Sequence, residues 1–135
     1  MRLAWIVQYV PDVQATVDFY EKAFGLTVRF ASPSDSGGPD FVAMETGGTV
    51  LSFAREDFVA PQGIPFTPTR PDGPPPAQEI AFEVDDVPAA HARAIAAGGV
   101  EVAAPQLKPW GQSVSYLRDP NGALVEICSP IPTLA

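Results

Sequence analysis

Two short stretches place carboxylates where chemistry could use them. In QEIAFEV, residues 78–84, Ile80, Phe82 and Val84 alternate with Glu79, Ala81 and Glu83. In ALVEIC, residues 123–128, Val125 and Ile127 alternate with Leu124, Glu126 and Cys128. A period of two is that of a β-strand with one face covered. Glu79 and Glu126 then lie on the face turned away from the apolar set. A carboxylate on an inward face is costly unless it meets water, a metal or a cation. Two that face each other would attract a cation or share a proton, which raises one pKa, and that geometry could also serve Glu126 as a general base. Cys128, the only cysteine, excludes an intrachain disulfide and reads as a buried strand thiol. His91, the only histidine, falls on the helical stripe Val87, His91, Ala94 and Ile95. It reads as a packed or boundary residue, because the local sequence supplies no catalytic partner.

The elements that position these residues are written twice. VPDVQATVDFYEKAFG at 10–25 and VDDVPAAHARAIAAGG at 84–99 follow one plan, and a shift of about 74 residues aligns the halves. Asp12 falls on Asp86, Gly25 on Gly99 and Gly48 on Gly122. Each half then reads as a strand, a helix and three strands. Asp12 and Gly25 are good start and stop residues for a first helix, with Val13, Val17, Tyr20 and Phe24 on one stripe. Asp86 caps the second helix, Pro88 sits in its first turn, and Gly98-Gly99 ends it. The fold expected is α+β, two βαβββ modules in tandem within one domain, 1–135. Module 1 spans 1–59 and module 2 spans 79–135. Between them, residues 60–78 are rich in proline and read as an extended surface connector, with Phe58 and Phe66 able to form a lid. RDPNG at 118–122 is a tight turn between strands.

Composition narrows the function. The chain has 135 residues, 46% of them hydrophobic and 18% charged, enough for a packed core. Its formal net charge of -8 argues against a nucleic-acid partner, whose phosphates need a basic face, and allows a cationic ligand. The opening MRLAWIVQYV lacks a signal peptide's cleavage site, and no stretch is long enough to span a bilayer. A cytoplasmic protein with no membrane partner is expected.

The two βαβββ units, the FY-x-x-x-FG helix end in FYEKAFG and the DPNG-x-x-x-E motif in DPNGALVE together resemble the vicinal oxygen chelate superfamily. That group includes glyoxalases, extradiol dioxygenases, fosfomycin-modifying enzymes and bleomycin-resistance proteins. The resemblance covers nearly the whole chain. It implies paired modules, each curling a mixed sheet into part of a cup, often completed by a homodimer. It also implies four cup-centre positions, on the first and last strand of each module, where metal-dependent members hold their ligands. Matched residue by residue, these are Trp5, Ser52, Glu79 and Glu126. The internal repeat independently carries Trp5 onto Glu79 and Ser52 onto Glu126.

Indole has no free lone pair for a metal, and a neutral serine hydroxyl is a poor ligand for Zn or Fe. Two carboxylates alone hold Mg or Mn only with many waters or substrate oxygens. No cofactor is therefore expected, the alternative being a divalent ion on Glu79 and Glu126. What remains is an aromatic wall at Trp5 and an acidic floor. Trp110, in KPWGQS, is expected at the mouth. Tyr116 and Phe41 fall in the third strands of the two modules, on a face the sequence leaves open. The reading is a small-molecule-binding protein of the bleomycin-resistance type that sequesters a planar or cationic compound without a metal. Its ligand-binding residues would be Trp5, Ser52, Glu79, Trp110, Tyr116 and Glu126. The alternative is a lyase, isomerase or dioxygenase that uses Glu79 and Glu126.

Overall fold

Each half of the repeat closes on its own sheet. The computed structural model describes residues 1–33 and 37–132. It divides into two compact units, Met1–Pro68 and Thr69–Ala135. The proline-rich segment is thus shared: its first part belongs to unit 1 and its second to unit 2.

Unit 1 runs β1 (Trp5–Val10), α1 (Val13–Phe24), β2 (Thr27–Ser32), β3 (Phe41–Glu45) and β4 (Val50–Arg55). A short helix, α2 (Glu56–Val59), and a 3-10 turn at Ala60–Gln62 follow, and these had no clear signal in the sequence. The sheet order is β1-β4-β3-β2, with β1 parallel to β4 and the other pairs antiparallel. α1 starts where Asp12 accepts a hydrogen bond from the Ala15 N–H at 3.0 Å. It stops at Gly25, whose φ of 68° suits glycine and whose N–H bonds back to the last turn. The buried stripe of α1 meets one face of the sheet, where the ring of Tyr20 stacks on Phe53 at 5.1 Å. Met44, Leu51 and Val42 fill the same layer. From the proline-rich segment, Phe66 packs edge-on against Tyr9 of β1 at 5.0 Å.

Unit 2 repeats the plan: β5 (Glu79–Glu83), α3 (Val87–Ala96), β6 (Val100–Leu107), β7 (Ser113–Arg118) and β8 (Leu124–Cys128), in the order β5-β8-β7-β6. The repeat extends to register. Trp5 lies opposite Val50 in β4, and Glu79 lies opposite Leu124 in β8. Asp86 caps α3 through the Ala89 N–H, again at 3.0 Å. Val87 and Ala94 pack toward Leu117, Val125 and Ile127, all buried.

His91 is a packed histidine, and the structure supplies the partners its neighbourhood lacks. Its Nδ1 lies 2.9 Å from Ser115 Oγ on β7, and its Nε2 lies 2.8 Å from Glu101 Oε1 on β6. Ser115 is wholly buried, so no substrate reaches its hydroxyl; the trio ties α3 to two strands. The 118–122 turn is equally tied down. Buried Asp119 accepts from the N–H groups of Asn121 and Ala123, each at 2.9 Å. The Arg118 guanidinium donates to the carbonyls of Gly122, Arg70 and Pro71, pinning the proline-rich segment to unit 2. Gly122 has a φ of 93°, and a Cβ there would lie 2.5 Å from the Arg70 carbonyl oxygen. No other residue fits that turn without displacing the segment.

Candidate functional site

Each sheet has one face covered by its helix and one free of it, and the candidate residues collect on the helix-free faces. In unit 1 strand pairing puts Trp5, Val50, Ser52, Phe41 and Ala43 on that face, with Phe30 opposite Ala43. Trp5 is 58% exposed and Phe30 55%. For an indole and a phenyl ring on a sheet this is unusual exposure, because large aromatics normally bury most of their area. The rings of Trp5 and Phe41 meet edge-on at 6.0 Å, and Phe41 meets Phe30 at 6.3 Å. Beside them opens a cavity of about 300 Å³, lined among others by Arg2, Trp5, Arg29, Phe30, Ala43 and Val50.

Ser52 shares this face with Trp5, but Val7, and not Trp5, lies opposite it. Its side chain is wholly buried, and its Oγ has no hydrogen-bond partner among the described residues. Strand alternation assigns Ser52 its face correctly and says nothing of what covers it. Arg2, Arg29 and Phe30 were absent from the residues picked out in the sequence. Phe30 and Arg29 are reached through a bulge between Val28 and Phe30, which breaks the alternation that a sequence reading follows.

In unit 2 the helix-free face is acidic. Tyr116 lies opposite Glu126, and its O–H donates to Glu126 Oε1 at 2.8 Å. Glu79 stands on the neighbouring strand β5, on the same face and one step diagonal to Glu126. Although Glu79 remains exposed, its carboxyl is held above the usual range, first by partial burial and then by the nearby charge of Glu126. The Tyr116 hydroxyl is pushed up to about 12, mainly because it donates to Glu126 and also through burial. Cys128, also on this face, is pushed up to about 11 by burial and by Glu126. The arrangement brings two carboxyls onto one face, with a phenol donating to one of them. It can hold a cation or pass a proton. Trp110 is exposed on the hairpin between β6 and β7, and its indole N–H donates to Gln112 Oε1 at 2.8 Å.

The raised Glu79 has a consequence for stability. The folded protein holds this proton more tightly than the unfolded chain does. Stability is therefore lost as pH rises through the ordinary carboxylate value of 4.5 and beyond. Glu79→Gln removes that cost, so it should stabilise at neutral pH, by no more than about 1 kcal/mol given the exposure. The gain should vanish below pH 4.5, where Glu79 is protonated in both states. Thermal denaturation of both proteins at the two pH values is the check; a gain of equal size at low pH would refute the raised Glu79 carboxyl.

Residues 2–127 match the family model described as the Glyoxalase/Bleomycin resistance protein/Dioxygenase superfamily. The chain belongs to this superfamily. It is 31% identical over 121 residues to the anthracycline biosynthesis protein DnrV of Streptomyces peucetius, a match that covers 89% of this chain and 44% of that protein. The chain thus spans less than half the length of that relative. Among solved structures, TioX from Micromonospora sp. ML1 is 26% identical with a TM-score of 0.72, covering 96% of this chain and 98% of the other. A glyoxalase-related enzyme from Fulvimarina pelagi superposes with a TM-score of 0.80 at 23% identity, covering 96% and 88%. The α+β architecture of tandem βαβββ modules, each with a four-stranded mixed sheet, is that of these neighbours. Among the described residues no helix is long and apolar enough to cross a membrane.

At the four positions that the resemblance matches to metal ligands, the side chains present do not suit a metal. Trp5 offers no lone pair, and the Ser52 hydroxyl is neutral and buried. Glu79 and Glu126 are two carboxylates, the second already accepting from Tyr116. Among the described residues, no three His, Cys, Asp or Glu side chains gather where they could hold an ion.

Proposed function

We propose that this superfamily member is a small-molecule-binding protein that sequesters a planar or cationic compound, in the manner of antibiotic resistance, and does so without a metal. The observation that carries the reading is the open pocket beside Trp5, whose indole lies bare on a sheet face. An exposed aromatic wall above small residues, Ala43 and Val50, accepts a flat ring by stacking. Kinship with a protein named for anthracycline biosynthesis supports a flat polycyclic ligand. The test is a titration of chelator-treated protein with an anthracycline, followed by recovery of the compound. Saturable binding with the compound returned unchanged is expected. Failure to bind, or binding restored only by added metal, would refute the reading.

A second reading rests on Glu126, which shares a face with Glu79 and accepts from Tyr116: a metal-free lyase or isomerase in which Glu126 moves a proton. Conversion of the recovered compound, abolished by Glu126→Gln, is the result that would favour it.

The binding form in this proposal is a homodimer. Each sheet has two edge strands, and on β2 and β6 Val28, Val100 and Val102 are uncovered. Pairing with a second copy is a common way to cover such edges. Sedimentation equilibrium at micromolar concentration should give about twice 14.3 kDa; the mass of one chain would contradict the dimer.

A further inference from the structure

The rim of the unit 1 pocket carries a charge opposite to that of the chain as a whole. The protein has a net charge of -8. Yet the residues lining this pocket include two arginines, Arg2 and Arg29, and no acidic side chain. Arg29 is paired through its Nε with Glu45 Oε1 at 3.2 Å, with both side chains largely exposed. A guanidinium has five N–H donors, so one such contact leaves most of the fork for a ligand. Arg2 forms no ion pair among the described residues. Guanidinium groups lie flat on aromatic rings and grip ionised oxygens with paired N–H donors. A cationic ring stacked on Trp5 would instead bring its charge up to these two groups.

We propose that the unit 1 pocket selects planar aromatic molecules bearing an ionised oxygen group, a phenolate, carboxylate or sulfonate, with Trp5 and Phe30 holding the ring and Arg2 and Arg29 holding the oxygens. This rests on the reading of the Trp5 pocket as a ligand site and adds the chemical class that it takes. Glu79 and Glu126 play no part in it.

The experiment uses two probes with one ring system, naphthalene-2-sulfonate and (naphthalen-2-yl)methylammonium, titrated into the full chain by calorimetry at low salt. The sulfonate should bind about tenfold more tightly than the ammonium. This preference runs against the chain's overall negative charge, which by itself favours the cation. In the Arg2→Gln/Arg29→Gln double variant the preference should vanish or reverse, with the circular dichroism and melting curve kept. Trp5→Ala should weaken both probes together. Equal binding of the two probes, still lost in Trp5→Ala, would overturn the oxyanion preference and leave the pocket a ligand site. A sulfonate preference unchanged in the double variant would place the oxyanion elsewhere and also overturn the proposal. Binding of neither probe at millimolar concentration would overturn both the preference and the pocket.

Discussion

Phe53→Ala should lower the stability of the protein by about 3–5 kcal/mol, a large part of what a domain of this size usually has. The ring is fully buried in β4, a strand with neighbours on both sides. It lies 24° from parallel to Tyr20 on α1, which in turn stacks on Phe24. Val42 flanks it on β3 and Gln8 on β1. Removing the ring leaves a cavity walled by strands already paired to each other, so the site cannot collapse to fill it. Urea unfolding of the variant is the measurement. A loss under about 1 kcal/mol would mean that the layer between α1 and the sheet repacks freely, contrary to the close packing of protein interiors.

Trp5→Ala should act in the opposite way. The indole is more than half exposed and touches Phe41 only edge-on, so its loss should move the melting temperature little. Binding should suffer heavily. Truncating an aromatic anchor of a pocket commonly costs about 2 kcal/mol or more, roughly 30-fold in affinity. A dissociation constant measured for the anthracycline or for either naphthalene probe gives the answer. If the variant melts far below wild type and binds as before, Trp5 is a packing residue and the aromatic wall is no site. Together the two substitutions separate an aromatic residue that holds the sheet to its helix from one that the sheet presents outward, although both lie in the same unit.

How much of this was legible in the chain depends on the range of the interaction. Asp12 and Gly25 could be read because a cap and a left-handed stop act within one helical turn. Glu79 and Glu126 could be placed on one face because alternation is local, and the repeat carried the same registration onto Trp5. What lies across strands could not be read. The partners of His91, the hydroxyl of Tyr116 on Glu126 and the burial of Ser52 are set by pairing between distant segments. The bulge at Val28–Phe30 hides Arg29 and Phe30 from any reading by strict alternation. The contact of Trp110 with Gln112, in contrast, joins residues two apart in the KPWGQS turn and is local.

The single cysteine turns unit 2 into its own reporter. Cys128 is buried on β8, between β5 and β7, and its thiol ionises only near pH 11. At neutral pH on the order of one thiol in ten thousand is ionised, and only the thiolate reacts with an alkylating reagent. Labelling therefore has to wait for the strand to part from its neighbours. The rate of slow alkylation under native conditions, divided by the rate in denaturant, gives the fraction of time for which β8 stands open. Since unit 1 contains no thiol, every labelled molecule records an opening of unit 2. The breathing of the acidic face can thus be followed in the unaltered protein, with and without a bound ligand.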